Sequence, residues 1–400
     1  MERQLNDWIK TYLQLTKDHE ACAMYHKWVA ISLIAATLDR NVHVHRGNFN
    51  TYPNQYIILA GKSGLDRKSS AIKFGFRLYR EALPALYVGP PKITAQALED
   101  ILSERFEEDQ KGSAYFNAEE LKVFLGDIKN LELVAALTVL NDPEQEFHGQ
   151  TRGGGRIDVP MSYLNILGGT TPQWLKLATN QCAGEGGFFG RIQFIIPTRE
   201  LELRNNPFPD LTEESPELRA KLIHDLRAIN KITGIYPLSS TPAGEYYGPW
   251  YTKNRINSFT KTDDVIGFYS RVGELAIKLA TCIAASKRQE LTITVSDMKE
   301  AIELCEELEK TLPHFMQILQ GTIAGETNEK VLRIIKAAGT IEHSALLRKM
   351  SGQMQASKLW DVLATLQEAE LIIPDEELKN NKSTRMKRIW HYNKESWSNE

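Results

Sequence analysis

A nearly unbroken apolar run, Gln55-Tyr56-Ile57-Ile58-Leu59-Ala60, passes directly into Gly61-Lys62-Ser63-Gly64-Leu65-Asp66-Arg67-Lys68-Ser69-Ser70, and helical spacing begins at once, from Ser69 to Leu83. A short apolar run of this kind suits a strand covered on both faces, as in a parallel sheet. A glycine-bearing turn between such a strand and a helix start gathers backbone N–H groups and the positive end of the helix dipole around one point, which favours phosphate. In that setting Lys68 is expected to bridge terminal phosphates and Ser69 to hold magnesium, with Gly61, Ser63, Gly64, Arg67 and Ser70 completing the cradle. The loop departs from G-x-x-x-x-G-K-[ST]: counted from Gly61 the lysine comes one residue late, and Arg67 stands where a glycine is usual. The plain alternative is a surface turn before a helix. Adjacent Lys68-Ser69-Ser70 argues against it, because a cation at a helix start opposes the dipole unless an anion sits there.

Strands and helices alternate on either side of this loop, which predicts an α/β sheet. Leu5 to Leu38 reads as two helices broken around Thr16 to Glu20, and residues 41–45 alternate like a strand. Thr94 to Arg105 is expected to be helical, and Ser113-Ala114-Tyr115-Phe116, Tyr163 to Gly168 and Arg191 to Ile196 to be strands. From Ser215 the pattern turns helical to about Leu319, apart from an aromatic, turn-rich segment from Tyr236 to Trp250. Gly321 to Glu326 reads as a linker. Beyond it, helices over 328–338, 342–350 and 355–369, then β segments at Leu371-Ile372-Ile373 and Ile389-Trp390-His391-Tyr392, fit the order of a winged helix. The expected divisions are a helical segment over 1–50, a core over 51–200, a helical lid or bundle over 201–320 and a winged helix over 327–400.

With 400 residues the chain is long enough for two or three domains, and 42% apolar with 25% charged residues leaves little room for long disordered stretches. A net charge of -3 excludes a uniformly basic protein, so any nucleic-acid contact must come from local patches. Cys22, Cys182, Cys282 and Cys305 form no C-x-x-C pair and read as reduced thiols. Trp28 to Leu38, the longest apolar run near the N-terminus, is too short to span a bilayer, and a cytoplasmic location is expected.

Hydrolysis at a phosphate loop needs an acidic pair at the end of a neighbouring strand, to support magnesium through water and to activate the attacking water. Glu119 and Glu120 follow Ala114-Tyr115-Phe116 and meet that need, Glu119 for the metal and Glu120 as base; the plain alternative is an acidic start to an exposed helix. Thr171 ends a later strand, where its hydroxyl can meet the γ-phosphate or the attacking water, while Thr170 caps the next helix. Arg191, between glycines and an apolar strand, can reach a neighbouring subunit's nucleotide, and Arg271, opening a later helix, can sense nucleotide similarly. The expected cofactors are ATP and Mg2+.

This ordered set resembles the P-loop proteins of phages, prophages and other mobile elements that are grouped as primase- or helicase-like. Trp28 to Arg40, Tyr52-Pro53-Asn54-Gln55-Tyr56, the loop, Glu119-Glu120, Leu167 to Pro172 and Gly187-Phe188 to Arg191 carry the resemblance, over roughly the first half of the chain. The order of parts is also similar to AAA+ helicases of the minichromosome-maintenance and superfamily 3 kind, which carry a hairpin before the sensor strand. Phe147 to Ile157 occupies that place, with Arg152 and Arg156 flanking three glycines. The resemblance implies a P-loop, AAA+-like ATPase that assembles into a ring, as a hexamer, and drives single-stranded or forked DNA in replication of a mobile element, alone or beside a primase. The basic hairpin tip would follow the phosphate backbone. In the winged helix, Lys358 on the second helix and Lys382, Arg385 and Lys387 in the basic stretch 379–388 are the expected DNA contacts. An ATP-dependent initiator, helicase loader or nucleotide switch without unwinding is the alternative, and a scaffold that binds nucleotide without useful hydrolysis is a third reading.

Overall fold

Residues 28–38 are apolar on every side, and a helix of that kind must be covered on every side. The computed structural model satisfies this by burying α2 (Ala23–Leu38), after α1 (Trp8–Leu15), in the middle of a large core, with Trp28, Leu33, Ile34 and Leu38 wholly inaccessible. The structure describes residues 1–126, 131–151, 155–181, 186–197, 215–260, 267–320, 323–352, 354–368, 371–377 and 387–393. These fall into two units, Met1–Leu319 and Gln320–Glu400. The segments expected as separate over 1–50, 51–200 and 201–320 therefore belong to one unit, because α1 and α2 share their core with residues from all three.

β1 (Val42–Arg46) and β2 (Phe49–Thr51) form a hairpin before β3 (Tyr56–Ala60), which is buried along its whole length. The loop 61–67 then enters α3 (Lys68–Ala82). β4 (Val88–Gly89), α4 (Ala95–Asp109), β5 (Ser113–Ala118), α5 (Leu121–Leu125) and α6 (Leu131–Val139) follow, with the Thr94 hydroxyl accepting from Ala97 N at 3.2 Å to cap α4. β6 (Phe147–Thr151) and β7 (Gly155–Val159) pair as the expected hairpin, whose tip, 152–154, lies outside the described residues. β8 (Tyr163–Thr170), α7 (Pro172–Gln181), α8 (Gly186–Phe189) and β9 (Ile192–Ile195) complete the α/β part.

Five of these strands make an all-parallel sheet in the order β4-β5-β8-β3-β9. Alternate residues of β3 serve the two faces: Ile57 and Leu59 join the core around α2 and α3, while Tyr56, Ile58 and Ala60 join the core under α4 to α6. α9 (Ser215–Ile229), β10 (Gly234–Tyr236), α10 (Pro242–Thr260), α11 (Phe268–Lys287) and α12 (Val295–Gln320) close the first unit. β10 lies parallel to β1 in a small sheet ordered β10-β1-β2. The segment expected as turn-rich to Trp250 is helical from Pro242: Thr241 Oγ1 accepts from Gly244 N at 3.2 Å, and proline suits the first helical position.

The second unit has its own core, around Val331, Ile335, Leu346, Leu359, Leu363 and Trp390. Its elements are α13 (Ile323–Ala338), β11 (Thr340–Glu342), α14 (His343–Met350), α15 (Ala356–Glu368), β12 (Ile372–Glu377) and β13 (Lys387–Tyr392), the strands antiparallel in the order β11-β13-β12. The linker expected over 321–326 is already helical from Ile323, and residues 321–322 lie outside the described set. Among the described residues, no helix is long and apolar enough to cross a membrane. Cys282 and Cys305 are buried free thiols and Cys22 is half-buried, while Cys182 lies outside the described residues.

A buried ion network fixes the turn between α11 and α12. Asp297, with its side chain 0% exposed, accepts from Lys287 Nζ at 3.1 Å and Thr294 N at 2.9 Å and pairs with Arg288. Burial alone would raise the Asp297 pKa, but the hydrogen bonds from Arg288, Thr294 and Lys287 outweigh it and hold the carboxyl below its ordinary value. A depressed native pKa contributes stability that is fully present above the unfolded value of about 3.9 and is lost as pH falls through the native one. Denaturant unfolding should therefore show this share disappearing below about pH 4. Asp297→Asn should cost about 3–5 kcal/mol at neutral pH, and an unchanged unfolding midpoint would contradict the assignment.

Candidate functional site

Parallel pairing brings the carboxyl ends of β5, β8 and β3 to one edge of the sheet. Ala60 lies opposite Thr170, and Ala118 opposite Gly168, so the loop after β3, the turn after β8 and Glu119-Glu120 after β5 come together. Gly61 N donates to Thr170 O at 3.2 Å, and Tyr25 of α2 donates its hydroxyl to Ala60 O at 2.8 Å, clamping the loop's first residue from two sides. A Cβ on Gly61 would lie 2.4 Å from both the Tyr25 hydroxyl oxygen and Asp66 Oδ2, which is why glycine stands there.

Lys68, 5% exposed, opens α3 and folds back so that Nζ donates to Gly61 O at 3.2 Å. Arg67 takes the left-handed conformation, φ 49°, ψ 23°, at the position where the familiar loop has glycine. That backbone costs a non-glycine residue about 1–2 kcal/mol. The half-exposed pair of Arg67 Nε with Glu20, at 2.6 Å, is too wet to repay all of it. The Arg67 side chain makes no cap to α3, leaving the helix start open to an anion. Ser63, Gly64 and Ser70 are exposed around the turn and Ser69 is half-buried.

Gly169 is where these pieces meet. A Cβ there would lie 2.7 Å from Glu119 O and 3.5 Å from both Lys68 Cδ and Ile72 Cδ1. The glycine thus lets the lysine stem and the acid-bearing turn pack against the same stretch of β8. Glu119 is held by Lys73 Nζ at 2.9 Å, from the next turn of α3, whereas Glu120 is exposed and its side chain makes no cap to α5. Asn117, two residues before Glu119 along β5, has a buried Oδ1 with no hydrogen-bond partner among the described residues. Thr171, expected to face phosphate, instead accepts from Trp174 N at 3.3 Å and caps α7, the part expected of Thr170. Thr170 is buried in the last pair of β8 with β3.

Arg191 and Arg271 lie elsewhere. Ile192 pairs with Tyr56, so Arg191 stands beside the first residue of β3, on the order of 15 Å along the strand from Gly61. Arg271 adjoins it across a shared cavity, away from its own chain's loop. Burial, and next the Arg271 charge, lower the Arg191 pKa. Of the expected DNA contacts, Arg156 stands in β7 opposite Gln150, Lys358 is exposed near the start of α15 and Lys387 begins β13. Arg152, Lys382 and Arg385 lie outside the described residues. Arg388, from the same basic stretch, is engaged over the Trp360 ring at 5.0 Å.

Sequence reasoning passed over Gly169, Lys73, Tyr25 and Asp66. The Gly168-Gly169 pair inside an otherwise buried strand was a usable signal, because glycine within a strand marks close backbone approach. Nothing local in the sequence points to Lys73 or Tyr25, whose partners come from distant elements. Scanned against protein-family models the chain matches none, and no curated protein matches it significantly in sequence.

Asp66 occupies the loop from within. Its carboxylate accepts from Lys62 N inside the loop, taking a backbone donor that a phosphate oxygen would use. Asp66→Asn keeps an acceptor oxygen there and removes the charge, which at about 4 Å opposes a phosphate by about 1 kcal/mol even in water-like surroundings. Titration of the substituted chain with a triphosphate should give binding about fivefold tighter. Equal or weaker binding would show that the carboxylate supports the loop rather than filling it.

Proposed function

We propose that this chain is a P-loop ATPase of AAA+-like build that works as a ring-forming DNA translocase or helicase in replication of a phage or other mobile element. The observation that carries the reading is the meeting of Lys68, Glu119 and the loop's helix start at Gly169, on the carboxyl edge of a parallel sheet in which β8 separates the loop strand from the acid strand. Ligands of open parallel sheets bind at that edge.

In this reading the nucleotide's phosphates take the N–H groups of the loop and of the α3 start, displacing the Asp66 carboxylate, and Lys68 leaves Gly61 O for the terminal phosphates. Mg2+ would neutralise phosphate charge, held by Ser69 and, through water, by Glu119. The residues fit such an ion, since Glu119 already carries a cationic partner in Lys73. Magnesium keeps several of its waters, so it needs no cage of protein ligands. Glu120, exposed and uncapped, takes the proton of the attacking water. Arg191, remote from its own loop, would serve the nucleotide of the next subunit in a hexamer. In the second unit the order α13-β11-α14-α15-β12-β13 supports a winged helix, with Lys358, Lys382, Arg385 and Lys387 toward DNA; in the first unit Arg152 and Arg156 of the β6–β7 hairpin would track a single strand.

Lys68→Ala should reduce ATP turnover on the order of 100-fold or more, and Glu120→Gln should bind ATP normally while hydrolysing it on the order of 100-fold more slowly. Single-stranded or forked DNA should accelerate the parent chain in a steady-state phosphate-release assay. Intact turnover in the Lys68 variant would remove the fuel site, and hydrolysis indifferent to DNA would remove the motor. The second reading, an initiator, loader or nucleotide switch, is favoured by the Asp66 carboxylate, which nucleotide must displace at each exchange. Strand-displacement assays separate the two.

A further inference from the structure

At the end of β3 opposite the loop, a cavity of about 330 Å³ opens between the β1–β2 hairpin, the start of β9 and α11. That is the volume of a small-ligand site, typically about 300–1,000 Å³. Arg46, Arg191, Arg271 and Lys278 line it, with three carboxylates for company. Each carboxylate is already engaged: Glu274 pairs with Lys278 at 3.2 Å, Glu144 accepts from Asn50 N at 2.9 Å, and Asp142 accepts from Glu144 N at 3.1 Å.

The guanidinium groups feel these carboxylates, Glu274 acting on all three and Asp142 on Arg191, but pair with none of them. Arg191 donates to Gly187 O at 2.7 Å, Arg46 to Thr51 Oγ1 at 3.4 Å and Arg271 to Ser270 Oγ at 3.5 Å, all neutral acceptors, and among the described residues none of the three has an ion pair. A guanidinium carries five N–H donors in a planar fork, so most of these donors remain for something else. Arg191 and Arg271 also oppose each other as like charges, a cost that Glu274 offsets in part and that a further anion in the cavity would relieve. The β3–β9 pairing and the buried face of α11 hold these side chains in place, and Gly267 leaves room for the Arg271 guanidinium, which a Cβ there would approach to 2.8 Å.

We infer that this cavity is a second anion site, one that takes the terminal phosphates of an oligophosphate. Forked guanidinium donors match phosphate oxygens, and three of them around one space favour a multiply charged group over a single carboxylate. The phosphates come either from a free oligophosphate or from a nucleotide seated on the loop of a second copy of this chain. Only the second source rests on the fuel-site reading above.

The test uses the full chain carrying Lys68→Ala, which silences the loop, and titrates inorganic tripolyphosphate calorimetrically at a concentration where sedimentation shows monomers. Binding that is weakened about tenfold or more by adding Arg46→Ala and Arg271→Ala, and largely restored by Arg46→Lys with Arg271→Lys, assigns a free ligand. The lysine pair keeps charge and bulk, so it separates loss of the site from loss of the fold. If the monomer binds none, the second arm measures ATP-dependent self-association of the chain with Lys68 intact. Weakening of that association by about tenfold or more in the double alanine variant assigns the nucleotide of a second copy. Unchanged tripolyphosphate binding together with unchanged self-association overturns the inference. Failure of the fuel-site reading is recognised separately, by Lys68→Ala leaving ATP turnover intact.

Discussion

Because β3 pairs in parallel with β8 on one side and β9 on the other, both its edges and both its faces are committed, and the rest of the first unit is arranged to satisfy them. Its backbone groups must bond to strands running the same way, and such strands need long crossovers, here carried by α3 to α7. Its side chains alternate between two cores, so each face demands its own helical cover. α2 answers one of these demands. It lies in the chain before the sheet, yet is buried beside it, and through Tyr25 it touches the residue where β3 becomes the loop. A shared direction for all five strands leaves their carboxyl ends on one edge, where the loop, the acid-bearing turn and the end of β8 meet although far apart in sequence.

At that edge the polar groups satisfy one another. Lys68 rests on a loop carbonyl, Asp66 fills a backbone donor, Glu119 leans on Lys73 and Thr171 closes the next helix. On the nucleotide-binding reading, phosphate or a metal ion would compete for the first three of these contacts, and binding would exchange partners rather than create contacts from nothing. Two features stay outside the exchange. Arg67 holds a left-handed backbone without any ligand, and the exposed Glu120 side chain makes no cap to α5 that it would have to give up. At the other end of β3 the balance is reversed, since the guanidinium groups of Arg46, Arg191 and Arg271 hydrogen-bond to neutral acceptors and, among the described residues, form no ion pair. The two ends of one strand thus differ in kind, one filled from within and the other short of negative charge.

Much of this was legible in the sequence. The apolar run 55–60, the loop and the helix after it announced a strand, a turn and α3 to within a residue or two, because a strand buried on both faces has no room for polar residues. The acidic pair was recognisable by its place after an apolar strand. Other parts were not legible. The segment before Trp250 reads as a turn from its glycines, prolines and tyrosines, but Pro242 and Thr241 start a helix there. Thr171 rather than Thr170 caps the following helix, since which hydroxyl faces that helix depends on where β8 stops pairing with β3. Arg271 lies near the start of α11, at the end of β3 remote from the loop, and order along the chain says nothing about which end of the sheet a helix begins beside.

By itself, then, the sequence determined the alternation of strands and helices, the position and irregular length of the loop, and the residue types suited to phosphate, because these depend on local periodicity and on the backbone needs of short segments. Tertiary structure alone decided the strand order, the convergence on Gly169, the pairing of Glu119 with Lys73 and the removal of Arg191 and Arg271 to the far end of β3. Those outcomes follow from which strands hydrogen-bond to which, a choice made among contacts between residues many positions apart, on which local spacing carries no information.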